Sequence, residues 1–103
     1  MLDNNVRYDA AFERARLFAS GYSDDIAIDE SHKEEIMYNG HDLICIPLSF
    51  PAKGNKLLFG QLMASGFCTK MDGSIANGRR IIKVLLWIEP ETCELCNVPE
   101  ELL

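Results

Sequence analysis

The clearest pattern of apolar positions lies near the start of the chain. Its members recur three and four residues apart, as one face of an α-helix requires. They are Tyr8, Ala11, Phe12, Ala15, Phe18, Ala19 and Tyr22. Charged and polar residues follow the same period on the opposite face. The pattern predicts a helix over about residues 5–20, whose aromatic and alanine-rich face packs on a sheet.

An Asn-Gly dipeptide at residues 39–40 marks the next element. Both residue types tolerate positive φ, so this pair between two apolar stretches is the strongest short signal for a β-hairpin. It predicts strands over about residues 35–38 and 41–50. A capping-box pattern that begins at Ser31 supports the alternative, a two-turn helix that ends at Gly40. We favour the hairpin.

Residues 57–71 carry a pattern that fits two elements. The even-numbered positions are mostly small, and we favour a strand in which small side chains let the first helix approach the sheet closely. Glycines within such a strand would permit a bend or a bulge. The alternative is a helix from Asn55 to about Ser65, which Gly60 and Gly66 would weaken.

The most regular strand pattern covers residues 79–89 and ends at Pro90, with apolar side chains on both faces. Residues 90–103 form an irregular tail. The sequence therefore predicts a single α+β domain over residues 1–103, with an N-terminal helix packed on an antiparallel meander of about four strands. One helix covers one sheet face, so residues 23–35 or a second copy of the chain must cover the other.

Composition narrows the class of protein. The chain has 103 residues, of which 48% are hydrophobic and 25% are charged. These values are typical of one folded domain and exclude a disordered chain. No apolar run approaches the roughly 20 residues of a membrane-spanning helix. A net charge of −6 argues against nucleic acid as a partner, because phosphate contacts supply most non-specific affinity.

Charge is unevenly distributed along the chain. Residues 23–42 carry a net charge of −6, residues 43–88 carry +5, and the residues from Glu89 onward carry −5. We expect the basic middle segment to neutralise the acidic segments in the folded protein. The acidic segments are also candidate contacts for a basic protein partner.

Four cysteines provide the candidate metal chemistry. Cys93 and Cys96 have the C-x-x-C spacing that lets two thiolates bind one zinc ion. Further ligands would have to come from elsewhere in the chain. The candidates for them are Cys45, Cys68, His32 and His41. The plainer interpretation is that no cofactor is bound and that the tail cysteines are free thiols.

His32 and Glu34, taken with the tail cysteines, resemble part of the H-x-E and P-C-x-x-C pattern of zinc-dependent nucleobase deaminases. In those proteins the proline directly precedes the first cysteine. Here Pro90 stands three residues before Cys93. We therefore favour a protein without enzymatic activity.

Two further expectations follow from the sequence. The first residues lack the basic and apolar regions of a secretory signal, which together with four cysteines favours reduced thiols and a cytoplasmic location. A set of aromatic residues could line a pocket between helix and sheet, or simply build the core. These residues are Tyr8, Phe12, Phe18, Phe67 and Trp87.

The function that these features favour is a small, acidic, non-catalytic protein-interaction module that forms a homodimer. It rests on the size of the chain, its segregated charge and the sheet face left without a cover. The alternatives are a small-molecule-binding domain with a pocket between helix and sheet, and a zinc-binding protein that uses Cys93 and Cys96.

Overall fold

The computed structural model describes residues 4–30, 34–38, 40–71, 74–76 and 78–98. The elements in chain order are α1 (Asn4–Ser20), β1 (Ala27–Ile28), β2 (Glu34–Tyr38), β3 (His41–Pro51), α2 (Lys56–Ala64), β4 (Cys68–Lys70), β5 (Ser74–Ala76) and β6 (Arg79–Ile88). The predicted α+β class and N-terminal helix are confirmed. Neither helix of the described chain combines the length and the apolar character that a membrane crossing requires.

The two longest strands, β3 and β6, pair antiparallel at the centre of the sheet, from Ile44 opposite Ile88 to Pro51 opposite Ile81. Strands β1 and β2 share the outer side of β3, while β4 and β5 share the outer side of β6. The described sheet therefore has six strands in four positions across its width, where the sequence predicted about four strands. Its order departs from a simple meander, because α2 carries the chain past the position that β6 later fills.

Residues 57–71, for which the sequence favoured a strand, form α2 followed by the short strand β4. Leu58 and Leu62 are buried one helical turn apart. Gly60 lies on the exposed side, where an added Cβ would meet no atom within 4 Å. Gly60 therefore destabilises α2 only through its low helix propensity, by about 1 kcal/mol. Burial of the two leucines outweighs this loss. The helical alternative is the correct one.

Each helix precedes one hairpin, and in both hairpins the sequence between the paired strands is Asn-Gly. The hairpin predicted at residues 39–40 is confirmed, with Tyr38 opposite His41. A second hairpin joins β5 to β6 at residues 77–78. The φ angles are +80° at Gly40 and +74° at Gly78, which glycine adopts without a steric penalty. Because β3 and β6 are antiparallel, the two hairpin tips lie at opposite ends of the sheet.

Both helices pack on the same face of the sheet and cover the even-numbered side chains of β3 and β6. Ala11 and Ala15 of α1 are fully buried, so α1 lies close to the strands. Each large side chain buried here contributes roughly 1.5–3 kcal/mol. The buried cluster consists of Ala11, Phe12, Ala15, Ile44, Ile46, Leu48, Phe50, Leu58, Leu62, Cys68, Val84, Leu86 and Ile88.

A second, smaller cluster on the opposite face contains Leu43, Cys45, Trp87 and Val98. The tail covers it: the Cys96 N–H donates to the Trp87 carbonyl at 2.9 Å, and the Val98 N–H donates to the Gly66 carbonyl at 2.7 Å. Residues 23–35, one of the two covers expected, instead contribute β1 and the start of β2 to the sheet edge. Residues 90–98 of the predicted irregular tail thus pack against the core at this end.

Candidate interaction surface

Helix α2 buries one side and exposes a large apolar residue on the other. Its inner side buries Leu58 and Leu62. Its outer side exposes Leu57, Gly60, Gln61 and Ala64. Leu57 is 81% exposed, more than any other large hydrophobic residue of the described chain. Because this exposed leucine stands beside the small residues Gly60 and Ala64, the outer side of α2 is a candidate contact surface.

Tyr22 forms the opposite wall of a groove beside α2. It follows the end of α1, where its N–H donates to the Ala19 carbonyl at 2.9 Å. Its ring packs on Phe18 with a centroid distance of 5.0 Å, and Phe18 meets Phe67 edge-on at 6.3 Å. These contacts fix an aromatic ring that remains 38% exposed. A rigid, partly exposed tyrosine is a frequent anchor of protein interfaces.

Two open clefts of about 510 and 570 Å³ lie between Tyr22 and α2. Both are lined by Tyr22 and Gln61, so they form one continuous groove. Leu57 and Ala64 line its two ends along the helix. We call the outer side of α2 together with this groove the α2 surface.

The α2 surface carries little charge in a chain of net charge −6. Lys56 is the only charged residue of α2. The side chain of Asn55 does not cap the helix. Its Nδ2 instead donates to the Pro51 carbonyl at 2.9 Å and to Asp25 Oδ2 at 3.4 Å. These contacts tie the loop after α1 to the start of α2, at one end of the groove.

The five aromatic residues singled out in the sequence do not gather around one cavity. Phe12 is buried in the helix-side cluster, and Tyr8, Phe18 and Phe67 pack against its margin. Trp87 lies on the opposite face of the sheet. The Tyr8 hydroxyl donates to Glu35 Oε1 at 2.7 Å, which joins α1 to β2. Their placement supports the core interpretation for these residues.

Cys93 and Cys96 lie in the turn after β6, and both thiols are free and partly exposed. Cys93 has a φ of +57°, and its N–H donates to the Glu89 carbonyl at 2.8 Å. Burial, and then the negative charge of Glu89, raise the pKa of Cys96. Within the described ranges, no three His, Cys, Asp or Glu side chains are arranged to hold a metal ion.

The other predicted zinc ligands are dispersed. Cys45 and Cys68 are buried on opposite faces of the sheet. Burial raises the pKa of Cys68 to about 12, against the smaller opposing effect of a hydrogen bond with Ser65. His32 lies outside the described residues, and His41 is the first residue of β3. Zinc binding by Cys93 and Cys96 stays an untested prediction.

The α2 surface was not predicted from the sequence. The signal was present, because Leu57, Gln61 and Ala64 recur at helical spacing next to the buried pair of leucines. When the segment is interpreted as a strand, this helical spacing is not apparent, because a strand divides the same residues between two faces. Comparisons of the chain with family models, curated proteins and solved structures found no match.

Proposed function

We propose that this protein is a non-catalytic interaction module that forms a homodimer through the α2 surface. The observation that carries the proposal is the exposure of Leu57 beside Gly60 and Ala64 on the same side of α2. A large apolar side chain next to small ones provides a knob and a hole on one helix. Such a surface is complementary to itself.

The helix pair has a simple geometry. Two α2 helices run antiparallel about a two-fold axis beside Gly60 and Gln61, so that Leu57 of each copy lies against Ala64 of the other. This arrangement uses the same patch on both copies, as two-fold dimers do. The small residues permit an interaxial distance near the lower end of the usual 8–10 Å. Removing the Leu57 side chain from water contributes roughly 1.5–3 kcal/mol per copy.

Charge at the ends of α2 favours the same arrangement. Lys56 of each copy comes close to the last carbonyl groups of the other helix, the negative end of its dipole. A cation in that position contributes about 0.3–1 kcal/mol. Because α2 contains no carboxylate, two chains of net charge −6 meet here without carboxylates facing each other along the helix pair.

Tyr22 supplies the remaining contact area. A nine-residue helix is about 14 Å long, which is short for an interface that buries about 800 Å² per partner. The groove beside α2 widens the surface, and Tyr22 is the residue in it best suited to act as an anchor. The proposal therefore includes both α2 and the tyrosine that faces it.

Sedimentation velocity over a series of protein concentrations tests the proposal. At high ionic strength the wild-type chain is expected to sediment as twice its 11.6 kDa. Leu57→Gln is expected to weaken the dimer about tenfold or more, since 1.4 kcal/mol already corresponds to a factor of ten. The matched control is Leu17→Gln, a residue of α1 that is 59% exposed and does not line the groove. It should leave the dimer intact.

Three results would overturn the proposal. The first is a wild-type chain that stays monomeric at the highest concentration. The second is an equal loss of dimer in the Leu57→Gln and Leu17→Gln variants, which would indicate a non-specific effect. The third is a monomer whose groove takes up a small apolar compound in a Leu57-dependent manner, which would instead support the small-molecule-binding alternative.

A further inference from the structure

Opposite charges are placed at opposite ends of the sheet. Glu35 and Asp42 belong to the β2–β3 hairpin, at the end of the sheet where β3 begins. Arg79 and Arg80 begin β6 in the β5–β6 hairpin, at the other end. All four side chains are exposed. Lys53 adds to the basic end, because the neighbouring Ala52 N–H donates to the Arg80 carbonyl at 3.0 Å.

These charges are too far apart to neutralise one another within one molecule. In the register of β3 and β6, Asp42 and Arg80 are separated by ten residue positions along the strands, about 33 Å at the usual rise. Charges are screened over roughly 8 Å at physiological ionic strength. The neutralisation expected from the sequence therefore does not occur between these hairpins. The described chain pairs neither arginine with a carboxylate.

Each hairpin also exposes one large apolar side chain. Met37 is 71% exposed and lies opposite Asp42, whereas Ile75 is 77% exposed and lies opposite Arg80. Directly opposed residues of an antiparallel pair share a sheet face, so each apolar side chain stands beside a charge. We call Glu35, Met37 and Asp42 the acidic tip. We call Ile75, Arg79 and Arg80 the basic tip.

We propose that the acidic tip of one copy binds the basic tip of the next copy, head to tail. The occupant is a second copy because it presents, in one patch, two carboxylates beside an exposed methionine. Apolar contact between Met37 and Ile75 at the centre, with complementary charges around it, is the usual anatomy of a specific interface. Tyr8, which donates to Glu35, holds one of these carboxylates in place.

This contact differs in symmetry from the α2 contact and is independent of it. A two-fold contact closes after two copies, whereas a head-to-tail contact continues until a rotation closes it into a ring or extends it into a filament. The head-to-tail contact should weaken with added salt, because its rim is ionic. The α2 contact is mainly apolar, so its strength should change little with added salt. Sedimentation velocity at low and high ionic strength therefore distinguishes the two contacts.

Charge exchange tests the head-to-tail contact. The double variants Glu35→Lys/Asp42→Lys and Arg79→Glu/Arg80→Glu each leave two tips of like charge, and each is expected to weaken association beyond the dimer about tenfold or more. The quadruple variant that carries all four changes, or an equimolar mixture of the two double variants, should restore it. Sedimentation velocity at low and high ionic strength measures the effect. Arg79→Glu/Arg80→Glu should keep the wild-type unfolding midpoint, whereas Glu35→Lys also removes the acceptor of the Tyr8 hydroxyl and should lower it.

A second route avoids charge reversal. Met37→Gln and Ile75→Gln should each reduce the same salt-sensitive association, while Leu57→Gln should leave it in place and remove only the salt-insensitive dimer. The proposal is overturned if the double variants associate as the wild type does, or if the quadruple variant fails to recover association. It is also overturned if Arg79→Glu/Arg80→Glu abolishes binding of a nucleic-acid oligomer and leaves self-association unchanged.

Discussion

The indole Nε1 of Trp87 donates a hydrogen bond to Oγ1 of Thr69 at 3.0 Å. The bond connects β6 to the outer strand β4 on the sheet face that carries no helix. Trp87 is 3% exposed and Thr69 is 8% exposed, so water cannot replace either partner. The two residues therefore join the edge of the sheet to the cluster that the tail covers.

Thr69→Val is expected to lower the free energy of unfolding by about 1–3 kcal/mol, because it leaves a buried indole N–H without an acceptor. Urea unfolding followed by the emission of Trp87, the only tryptophan of the chain, measures the change. Thr69→Ser keeps the hydroxyl group and should lose less stability. A larger loss in Thr69→Ser than in Thr69→Val would show that the methyl group, and not the hydrogen bond, matters.

Val98→Ala is expected to cost about 2 kcal/mol of stability, because the side chain is 6% exposed and fills the cluster around Trp87. Loosening this anchor should also raise the rate at which Cys96 reacts with a thiol reagent in the folded state. Asn97→Ala changes an exposed neighbour and serves as the control. Val98→Ala with unchanged stability and thiol reactivity would mean that the tail does not stabilise the core.

The stability of the protein should fall at alkaline pH because of Cys68. The pKa of its thiol is about 12 in the folded chain and 9.0 when unperturbed. Below pH 9 the thiol is protonated in both states and has no effect on stability. Between these values the unfolded chain loses the proton first, so Cys68 lowers the free energy of unfolding by up to about 1.4 kcal/mol per pH unit.

Urea unfolding from pH 8 upward measures this effect. Cys68→Ala should be less stable than the wild type at neutral pH, since it leaves a small cavity, yet it should show a shallower alkaline decline. If the free energy of unfolding falls equally with pH in the two proteins, titrating groups other than Cys68 cause the pH dependence.

Gly60 should respond to substitution in two opposite ways. Gly60→Ala is expected to raise the stability of the monomer by about 1 kcal/mol, because it adds helix propensity where no atom lies within 4 Å. This is best measured by urea unfolding in the Leu57→Gln background. Gly60→Gln places a longer side chain on the proposed two-fold axis and should weaken the dimer. If Gly60→Gln dimerises as strongly as the wild type, the dimer contact does not lie on α2.

The sequence predicted the elements that have a strong, unbroken period. Helix α1, the Asn-Gly hairpin of β2 and β3, and strand β6 all fall where the apolar pattern places them. The segment 57–71 was assigned wrongly because its small even-numbered positions resemble a bent strand. A helix of nine residues offers only two buried positions with which to reveal its period. Packing against the sheet decides between helix and strand for this segment, and the local sequence does not reveal that packing.

The candidate surfaces depend on topology as well as on local pattern. The charge of each segment was evident in the sequence, and mutual neutralisation was a reasonable expectation. It does not hold for the hairpins because β6 lies antiparallel beside β3, which sends Arg79 and Arg80 to the end away from Asp42. The α2 surface could have been predicted, by contrast, had the helical alternative for residues 55–65 been preferred.

The most direct test of the proposed dimer is a disulfide cross-link at its two-fold axis. Gln61→Cys, in a background in which Cys93 and Cys96 are changed to serine, should form a covalent dimer under mild oxidation. Two cysteines near the axis of an antiparallel helix pair lie within the distance that a disulfide requires. Leu17→Cys in the same background should remain monomeric on a non-reducing gel. Equal cross-linking of both variants, or none at position 61, would contradict the α2 dimer.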